Sequence, residues 1–206
     1  VIVPPKGYLD RLREICTAHD ILLIFDEVIT AFGRSGATTG AEAFGVTPDI
    51  MNVAKQITNG AVPMGAVIAT GEIFDTFMHA GGAQHAIEFP HGYTYSAHPV
   101  ACAAGLAALE MMERENFPAQ VNAIAPVFEQ KLHALKGHNH IVDIRNYGLA
   151  GALQLAPRNG DPTIRPRDAH MALWEAGFYV RYGGDTLQFG PPFGTTEAEL
   201  ERLFDA

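Results

Sequence analysis

A short, wholly apolar run that ends in two acidic residues places the strongest limit on how this chain can fold. Residues 21–25 (ILLIF) are all apolar, and Asp26 and Glu27 follow them directly. A strand whose successive side chains are all apolar is typically buried on both faces, as in parallel sheets. An amphipathic helix is predicted just before this strand, over residues 8–19, from a single apolar stripe. A helix followed by a buried strand predicts an α/β layer fold.

The next part of the chain continues this alternation of helices and short strands. Strands are predicted at residues 50–54 and 65–70, and two long helices begin at Pro99 and at residue 117. A long loop is predicted between the last strand and the first of these helices, over residues 79–95. The pattern indicates a mostly parallel sheet flanked by helices.

The predicted secondary structure changes in the C-terminal part, where short strands predominate. Four short strands and one helix are predicted there, at residues 141–145, 151–155, 178–181 and 187–189 for the strands and 166–176 for the helix. We therefore predict a domain boundary near residue 114. Residues 1–113 would be part of a large α/β domain, and residues 114–206 would form a smaller α+β C-terminal domain.

Composition argues against several classes of partner. The chain has 14 Lys and Arg against 23 Asp and Glu, a net charge of −9, and no basic cluster that would indicate nucleic-acid or anionic-membrane binding. No apolar run approaches the ~18 residues of a transmembrane helix. Cys16 and Cys102 lie in apolar helical patterns, which favours a reduced, cytoplasmic compartment. Because the chain opens at Val1 without an initiator methionine, we expect a preceding segment.

Two charged residues follow predicted strands at positions where burial would make their charge costly. Asp26 ends the first strand, and Lys55 follows the second, whereas the other three lysines lie in polar surroundings. Burying an ammonium group costs several kcal/mol unless it is paired or deprotonated, and desolvation turns an amine into a nucleophile. From the residues alone, a capping aspartate and a lysine extended into solvent remain open alternatives.

The relative position of these two residues favours a shared ligand. Ligands of open α/β sheets bind at the carboxyl ends of the strands, where Asp26 and Lys55 are both expected. A ligand that is cationic at one end and carries a carbonyl at the other would satisfy both side chains. Pyridoxal phosphate meets this description, because its pyridinium nitrogen attracts a carboxylate and its aldehyde reacts with an amine.

Several segments resemble the class III pyridoxal-phosphate aminotransferases, which have fold type I. They are residues 25–28 (FDEV), 32–36 (FGRSG), 48–50 (PDI), 54–55 (AK), 91–99 (HGYTYSAHP), 148–151 (GLAG) and 181–192 (RYGGDTLQFGPP). The resemblance covers nearly the whole chain. The run at residues 52–67 is especially similar to members that use ω-amino acids and pyruvate.

The resemblance implies a role for each matching residue. Lys55 would be catalytic, carrying the cofactor and moving the substrate proton, while Asp26 holds the pyridinium nitrogen. Val28, expected on the same strand face as Asp26, would pack on the ring. Thr94 would bind the cofactor phosphate of the partner subunit, which implies a homodimer, and Arg181 would bind the substrate carboxylate. No metal site is expected, because the histidines lack ligand spacing.

Three of these roles have structural alternatives that the sequence leaves open. Val28 would also suit the core, and Thr94 would also suit a helix cap. Arg181 would also suit a structural ion pair, for example with Asp185. A further expectation concerns Ala31, where the family usually has glycine; if that position needs a positive φ, alanine costs roughly 1 kcal/mol.

The expected function is pyridoxal-phosphate-dependent transamination from an ω-amino acid or amine, such as β-alanine, to pyruvate, giving L-alanine and an aldehyde or oxo acid. Alternatives within the family are an aminomutase, a decarboxylase, an aminotransferase with another donor, or a non-catalytic cofactor-binding homologue. A nicotinamide dehydrogenase is disfavoured, because no G-x-G-x-x-G motif follows a strand. The family's phosphate cup and ring-stacking aromatic are expected before Val1, so this chain alone should be inactive.

Overall fold

The computed structural model describes residues 1–80, 82–86 and 89–206. Its elements, in chain order, are α1 (Tyr8–Ala18), β1 (Ile24–Asp26), α2 (Gly40–Phe44), β2 (Ile50–Val53), a 3-10 turn (Lys55–Ile57), β3 (Ala66–Ala69), α3 (Gly71–Ala80), α4 (Pro99–Glu115), α5 (Phe117–Ala134), β4 (Ile141–Tyr147), β5 (Ala150–Leu155), α6 (Ile164–Glu175), β6 (Arg181–Gly183), β7 (Thr186–Phe189) and α7 (Glu197–Asp205).

The chain divides into two compact units. The N-terminal unit comprises Lys6–Phe32 and Thr38–Asn116, and the C-terminal unit comprises Val1–Pro5, Gly33–Ala37 and Phe117–Ala206. The N-terminal unit contains the three-stranded sheet β1-β2-β3, and the C-terminal unit contains the four-stranded sheet β4-β5-β7-β6. The mixture of helices and sheets agrees with the predicted α/β class, while the predicted boundary at residue 114, as a boundary between family domains, stays a prediction.

In the N-terminal unit, β1 and β2 are parallel and β3 runs antiparallel to β2. Helix α1 packs part of its predicted apolar stripe, because Leu9 and Leu12 contact the buried side chains of Cys16, Leu23 and Val46, whereas Ile15 is 41% exposed. This packing fixes the start of β1 against the helix. The two parallel strands thus end at the same edge of the sheet.

The carboxylate of Asp49 joins α1 to the start of β1 and β2. The Leu23 N–H and the Arg13 guanidinium each donate to Asp49 Oδ2 at 2.7 Å. The backbone hydrogen bond from Leu23, followed by that from Arg13, lowers the pKa of Asp49 below its ordinary value. The side chain therefore stabilises the folded unit in its charged form.

We expect Asp49→Asn to destabilise the whole protein at neutral pH by about 1.5–3 kcal/mol, the value of a hydrogen bond to a charged group. Because the folded-state pKa is lowered, this stabilisation is present above about pH 4 and disappears as the pH falls through the folded pKa. Thermal unfolding at neutral and acidic pH measures the effect, with Asp10→Asn on exposed α1 surface as control. An equal loss at both pH values would contradict this account.

The prediction that the first strand is buried on both faces is wrong for this chain. Strand β1 begins only at Ile24, whose side chain is 54% exposed, and β3 exposes Val67 at 70%. A parallel strand is buried only when a layer covers each face of its sheet. Within the described residues, α1 covers one side of β1, so further apolar side chains of this sheet region stay exposed: Ile21, Leu22, Ile29 and Ile68.

The C-terminal unit has the more complete core. Helices α5 and α7 pack together over its antiparallel sheet, and the buried residues are Val121, Phe128, Leu132, Leu149, Leu153, Val180, Leu187, Phe189 and Leu200. Gly151 on β5 allows this close approach, because a Cβ there would meet Phe128 Cζ at 2.7 Å and Leu132 Cδ2 at 2.8 Å. A side chain at residue 151 would therefore displace two core residues.

Several elements differ from the sequence predictions. Helices α2, α3 and α7 were not predicted, although α7 begins with a Thr196–Glu199 capping box that the sequence displays. The strand predicted at residues 178–181 is wrong, because β6 begins at Arg181. Helix α3 also occupies the start of the loop predicted at 79–95, and residues 81, 87 and 88 of that loop lie outside the described residues.

Candidate active site

The ends of β1 and β2 bring the two predicted reactive residues to one edge of the N-terminal sheet. Asp26 is the last residue of β1 and pairs in register with Asn52 of β2. Lys55 follows β2 after one intervening residue and begins the 3-10 turn. Because the strands are parallel, both residues lie at the carboxyl ends of adjacent strands, where α/β sheets bind ligands.

The backbone at Lys55 is held in an uncommon conformation. Its φ of 50° lies in the left-handed region, which non-glycine residues adopt rarely and which often marks functional positions. The turn is closed by hydrogen bonds from Ile57 N–H to Ala54 O at 3.2 Å and from Thr58 N–H to Lys55 O at 3.3 Å. Ile57 and Thr58 are buried, so the turn is anchored while the lysine side chain extends outward.

Lys55 is not buried, so the predicted cost of burying its charge is wrong for this chain. Its side chain is exposed. Its ammonium group forms no ion pair or hydrogen bond with any described residue. The amine is therefore available for a ligand.

Asp26 is oriented by the turn that follows it. The Val28 N–H donates to Asp26 Oδ1 at 3.1 Å, and the Glu27 N–H donates to Asn52 O at 2.8 Å. Asp26 Oδ2 accepts no hydrogen bond from the part of the chain that the structure describes. One carboxylate oxygen is thus fixed and the other is free, which suits a cationic ring nitrogen beside the free Lys55 amine. These two residues fit the ends of pyridoxal phosphate.

Comparison with known proteins agrees with this geometry. The family described as aminotransferase class-III matches residues 1–206. The chain belongs to this class III aminotransferase family.

Two curated relatives are particularly similar in sequence. The chain is 68% identical over 206 residues to beta-alanine–pyruvate aminotransferase of Pseudomonas aeruginosa. It is 64% identical over 206 residues to omega-amino acid–pyruvate aminotransferase of Pseudomonas putida. Each alignment covers 100% of this chain and 46% of the relative, so the chain spans about half the length of the curated relatives it matches.

Solved structures of transaminases share the fold. An amine transaminase from an uncultivated Pseudomonas species, described as PLP-bound, has a TM-score of 0.91 and 39% identity. A thermostable omega-transaminase from Thermomicrobium roseum has a TM-score of 0.91 and 34% identity. These alignments cover 100% of this chain and 47% and 46% of the respective structures. The prediction of the fold type I transaminase architecture is confirmed.

The structure corrects the expected position of Val28. Strand β1 ends at Asp26, so Val28 lies in the following turn and does not share a strand face with Asp26. It is half-buried, and its backbone N–H orients the Asp26 carboxylate. The predicted contact between its side chain and the cofactor ring stays a prediction of the class III resemblance.

Thr94 lies in an exposed turn before α4 and does not cap that helix. The N-cap of α4 is His98, so the alternative role of Thr94 as a helix cap is wrong. The turn is closed by Tyr93 N–H donating to Ser96 Oγ at 2.9 Å and by Ser96 N–H donating to Tyr93 O at 3.0 Å. The Thr94 hydroxyl is thereby presented on a defined turn, and its phosphate-binding role stays a prediction.

Arg181 is the first residue of β6 in the C-terminal unit, where it pairs with Gln188 of β7. It is exposed, and no ion pair among the described residues includes it. Asp185, the alternative partner, instead accepts from Thr186 Oγ1 at 2.8 Å and Gln154 Nε2 at 2.7 Å, which lower the pKa of Asp185. The structural ion pair with Asp185 is therefore wrong, and no described residue forms an ion pair with the guanidinium.

The expected strain at Ala31 is also wrong. Ala31 has no positive φ, whereas the next residue, Phe32, has a φ of 64°. Ala31 is buried, and its N–H donates to Glu27 O at 3.0 Å as part of the turn after β1. Alanine fits this position because the left-handed conformation is shifted by one residue.

Two residues near these motifs were missed by the sequence analysis. Glu27 is buried at 1% exposure and accepts hydrogen bonds from Gly40 and Ala41 of α2. In the C-terminal unit, Arg34 donates to Leu149 O at 3.1 Å and Pro191 O at 2.6 Å, and burial lowers the pKa of Arg34 to about 10. Their only sequence signal was their place inside motifs of the resemblance.

Two further absences concern only the described part of the chain. No helix in residues 1–80, 82–86 and 89–206 combines the length and apolar character needed to cross a membrane. Those residues also contain no group of three or more His, Cys, Asp and Glu side chains suited to hold a metal ion.

Proposed function

We propose that the whole protein to which this chain belongs is a pyridoxal-phosphate-dependent aminotransferase. The observation that carries this proposal is the pair of free polar groups, the Lys55 amine and Asp26 Oδ2, at the ends of two adjacent parallel strands. Membership of the class III aminotransferase family supports it.

The residues have distinct roles in this proposal. Pyridoxal phosphate supplies an aldehyde that bonds to amines and a ring that accepts the electron pair left when the amine-bearing carbon loses a proton. Asp26 accepts a hydrogen bond from the ring nitrogen, and Val28 contacts the ring. Lys55 holds the cofactor and transfers the proton of the carbon that bears the substrate amine, as general base and acid, which is worth ~10²–10⁴-fold in rate. Arg181 binds the substrate carboxylate through its planar guanidinium.

We propose an ω-amino acid such as β-alanine, or an amine, as donor and pyruvate as acceptor, with L-alanine and an oxo acid or aldehyde as products. The names of the two relatives at 68% and 64% identity support these substrates. A different donor, an aminomutase or decarboxylase reaction, or a non-catalytic role are the alternatives. Gamma-aminobutyrate transaminases, such as that of Solanum lycopersicum, are less similar at 36% identity.

An isotope-transfer assay tests this proposal. The whole protein is incubated with nitrogen-labelled β-alanine and carbon-labelled pyruvate, and L-alanine that carries both labels is measured by mass spectrometry. We expect doubly labelled L-alanine from the whole protein and none from the isolated 206-residue chain, whose sheet leaves apolar side chains exposed. Label that stays in β-alanine, or alanine that carries the nitrogen label without the carbon label of pyruvate, would refute transamination to pyruvate.

We further propose that the whole protein acts as a homodimer in the cytoplasm. In that dimer, Thr94 hydrogen-bonds to the phosphate of the cofactor held by the partner subunit. Loss of one hydrogen bond to a charged group predicts that Thr94→Ala raises the cofactor dissociation constant ~10–150-fold. Equilibrium dialysis measures this change, with Thr76→Ala on exposed α3 as control.

Sedimentation and cell fractionation complete the test of this assembly. We expect a dimer that dissociates little in the Thr94→Ala variant and activity in the cytosolic fraction. A fully active monomer would contradict the shared site, and activity recovered in the membrane fraction would contradict the proposed compartment.

A further inference from the structure

We propose that Glu27 is the residue that positions Asp26, by fixing the turn after β1 through a buried link to the start of α2. This inference rests on the proposed function, because it concerns the carboxylate assigned to the cofactor ring nitrogen. The structure gives Glu27 contacts that an ordinary surface glutamate would lack.

The Glu27 carboxylate is buried and fully engaged. Its side chain is 1% exposed, and its Oε2 and Oε1 accept the backbone N–H groups of Gly40 at 2.8 Å and Ala41 at 2.6 Å. The Thr30 hydroxyl also donates to Oε2. A carboxylate that accepts three hydrogen bonds replaces the water it loses on burial, so it is held in one place.

The Glu27 backbone connects that buried carboxylate to Asp26. Its N–H donates to Asn52 O at 2.8 Å, which ties the ends of β1 and β2, and its carbonyl accepts the Ala31 N–H at 3.0 Å. The next residue, Val28, donates its N–H to Asp26 Oδ1 at 3.1 Å. The position of the Val28 N–H therefore depends on Glu27, and the orientation of the Asp26 carboxylate depends on that N–H.

Gly40 leaves the space that this link requires. A Cβ at Gly40 would lie 3.0 Å from Glu27 Oε2, 3.1 Å from Oε1 and 3.2 Å from Thr30 Oγ1. Contacts this short would push the carboxylate by a few tenths of an ångström. Gly40→Ala therefore displaces Glu27 without removing its charge, which makes it an independent probe of the same link.

Two substitutions and one control test the inference in the whole protein. Glu27→Gln keeps the size of the side chain but replaces one carboxylate oxygen by an NH₂ group. This group cannot accept a hydrogen bond from a backbone N–H or from the Thr30 hydroxyl, so one acceptor is lost. Gly40→Ala shifts the intact carboxylate. Glu42→Gln is the matched control, because Glu42 lies on α2 with Gly40, is exposed and, among the described residues, accepts only the Thr38 N–H, at 2.8 Å.

The decisive readout is nitrogen NMR of pyridoxal phosphate labelled at its ring nitrogen, which reports the protonation that Asp26 maintains. We expect Glu27→Gln to lose much of the protonated-ring signal and to slow the β-alanine half-reaction up to ~10²-fold, the effect of a displaced reacting group. Gly40→Ala should change both readouts in the same direction and less. Glu42→Gln should stay within about twofold in rate.

The outcomes separate this inference from the proposed function. If Glu27→Gln lowers only the thermal midpoint and leaves the ring-nitrogen signal and rate unchanged, Glu27 is merely structural and the inference is overturned. If Glu27→Gln does not fold, unchanged signal and rate in Gly40→Ala overturn it equally. Absence of a protonated-ring signal in the unaltered protein would overturn the proposed function, and this inference with it.

Discussion

Replacing Lys55 by alanine in the whole protein is expected to abolish covalent attachment of the cofactor and to slow amino transfer at least ~10²–10⁴-fold, the value of a positioned proton-transfer group. The reason is that the Lys55 amine is free of partners among the described residues and lies at the same sheet edge as Asp26. The visible absorbance of the bound cofactor and the rate of the β-alanine half-reaction measure the effect.

Two further variants test whether the amine of Lys55 or only its positive charge is required. Lys55→Arg keeps the positive charge but removes a nucleophilic amine, so we expect it to fail as completely as Lys55→Ala. Lys136→Ala, at an exposed lysine of the C-terminal unit, should behave as the unaltered protein. Retention of the covalent linkage in Lys55→Ala would exclude Lys55 as the attachment site.

Replacing Arg181 by alanine is expected to weaken β-alanine and pyruvate ~10–150-fold, since a hydrogen bond to a charged group is worth ~1.5–3 kcal/mol. A simple arylalkyl amine has no carboxylate, so its half-reaction should change far less. The structural basis is that Arg181, at the start of β6, has no ion pair among the described residues, while Asp185 is already engaged by Gln154 and Thr186.

The comparison of donors distinguishes substrate binding from structural support. Arg181→Lys should recover little binding of either carboxylate, because an ammonium cannot reproduce the two-pronged geometry of guanidinium. Arg202→Ala, at an exposed arginine of α7 in the same unit, is the matched control. Equal losses for β-alanine and the arylalkyl amine would remove Arg181 from the substrate site.

The placement of Asp26 and Lys55 at one sheet edge was predictable because its signals are local in sequence. An acidic residue directly after an apolar run, and a lysine directly after a second predicted strand, can both be recognised in the sequence. The parallel pairing of β1 and β2 brings these two residues to one edge of the sheet. Helices α1, α4 and α5 were likewise predictable from their apolar spacing or their first-turn proline.

The role of Glu27 was not predictable, because its partners lie far away in sequence. Its carboxylate accepts from Gly40 and Ala41, which are 13 and 14 residues further along the chain and begin a helix of only 5 residues. Such a short helix has too few turns to show an apolar stripe. The exposure of Ile24 was mispredicted for a different reason. An apolar strand indicates that both faces of its sheet are to be covered, but the described residues do not cover both faces here.

The positions of positive φ were also not predictable from residue type. Strain was expected at Ala31, whereas the residues with positive φ include Phe32 and Lys55, with φ of 64° and 50°. Neither residue type favours that region, so the surrounding hydrogen bonds must enforce it. At Lys55, the buried Ile57 and Thr58 supply that restraint.

The most direct test of the central claim is borohydride reduction of the whole protein followed by peptide mass spectrometry. Reduction fixes a cofactor that is bonded to a lysine as a stable adduct. We predict a pyridoxyl adduct on the peptide that contains Lys55, and its disappearance when β-alanine is added before the reductant without pyruvate. An adduct on another lysine, or no adduct in an active preparation, would contradict the assignment of Lys55.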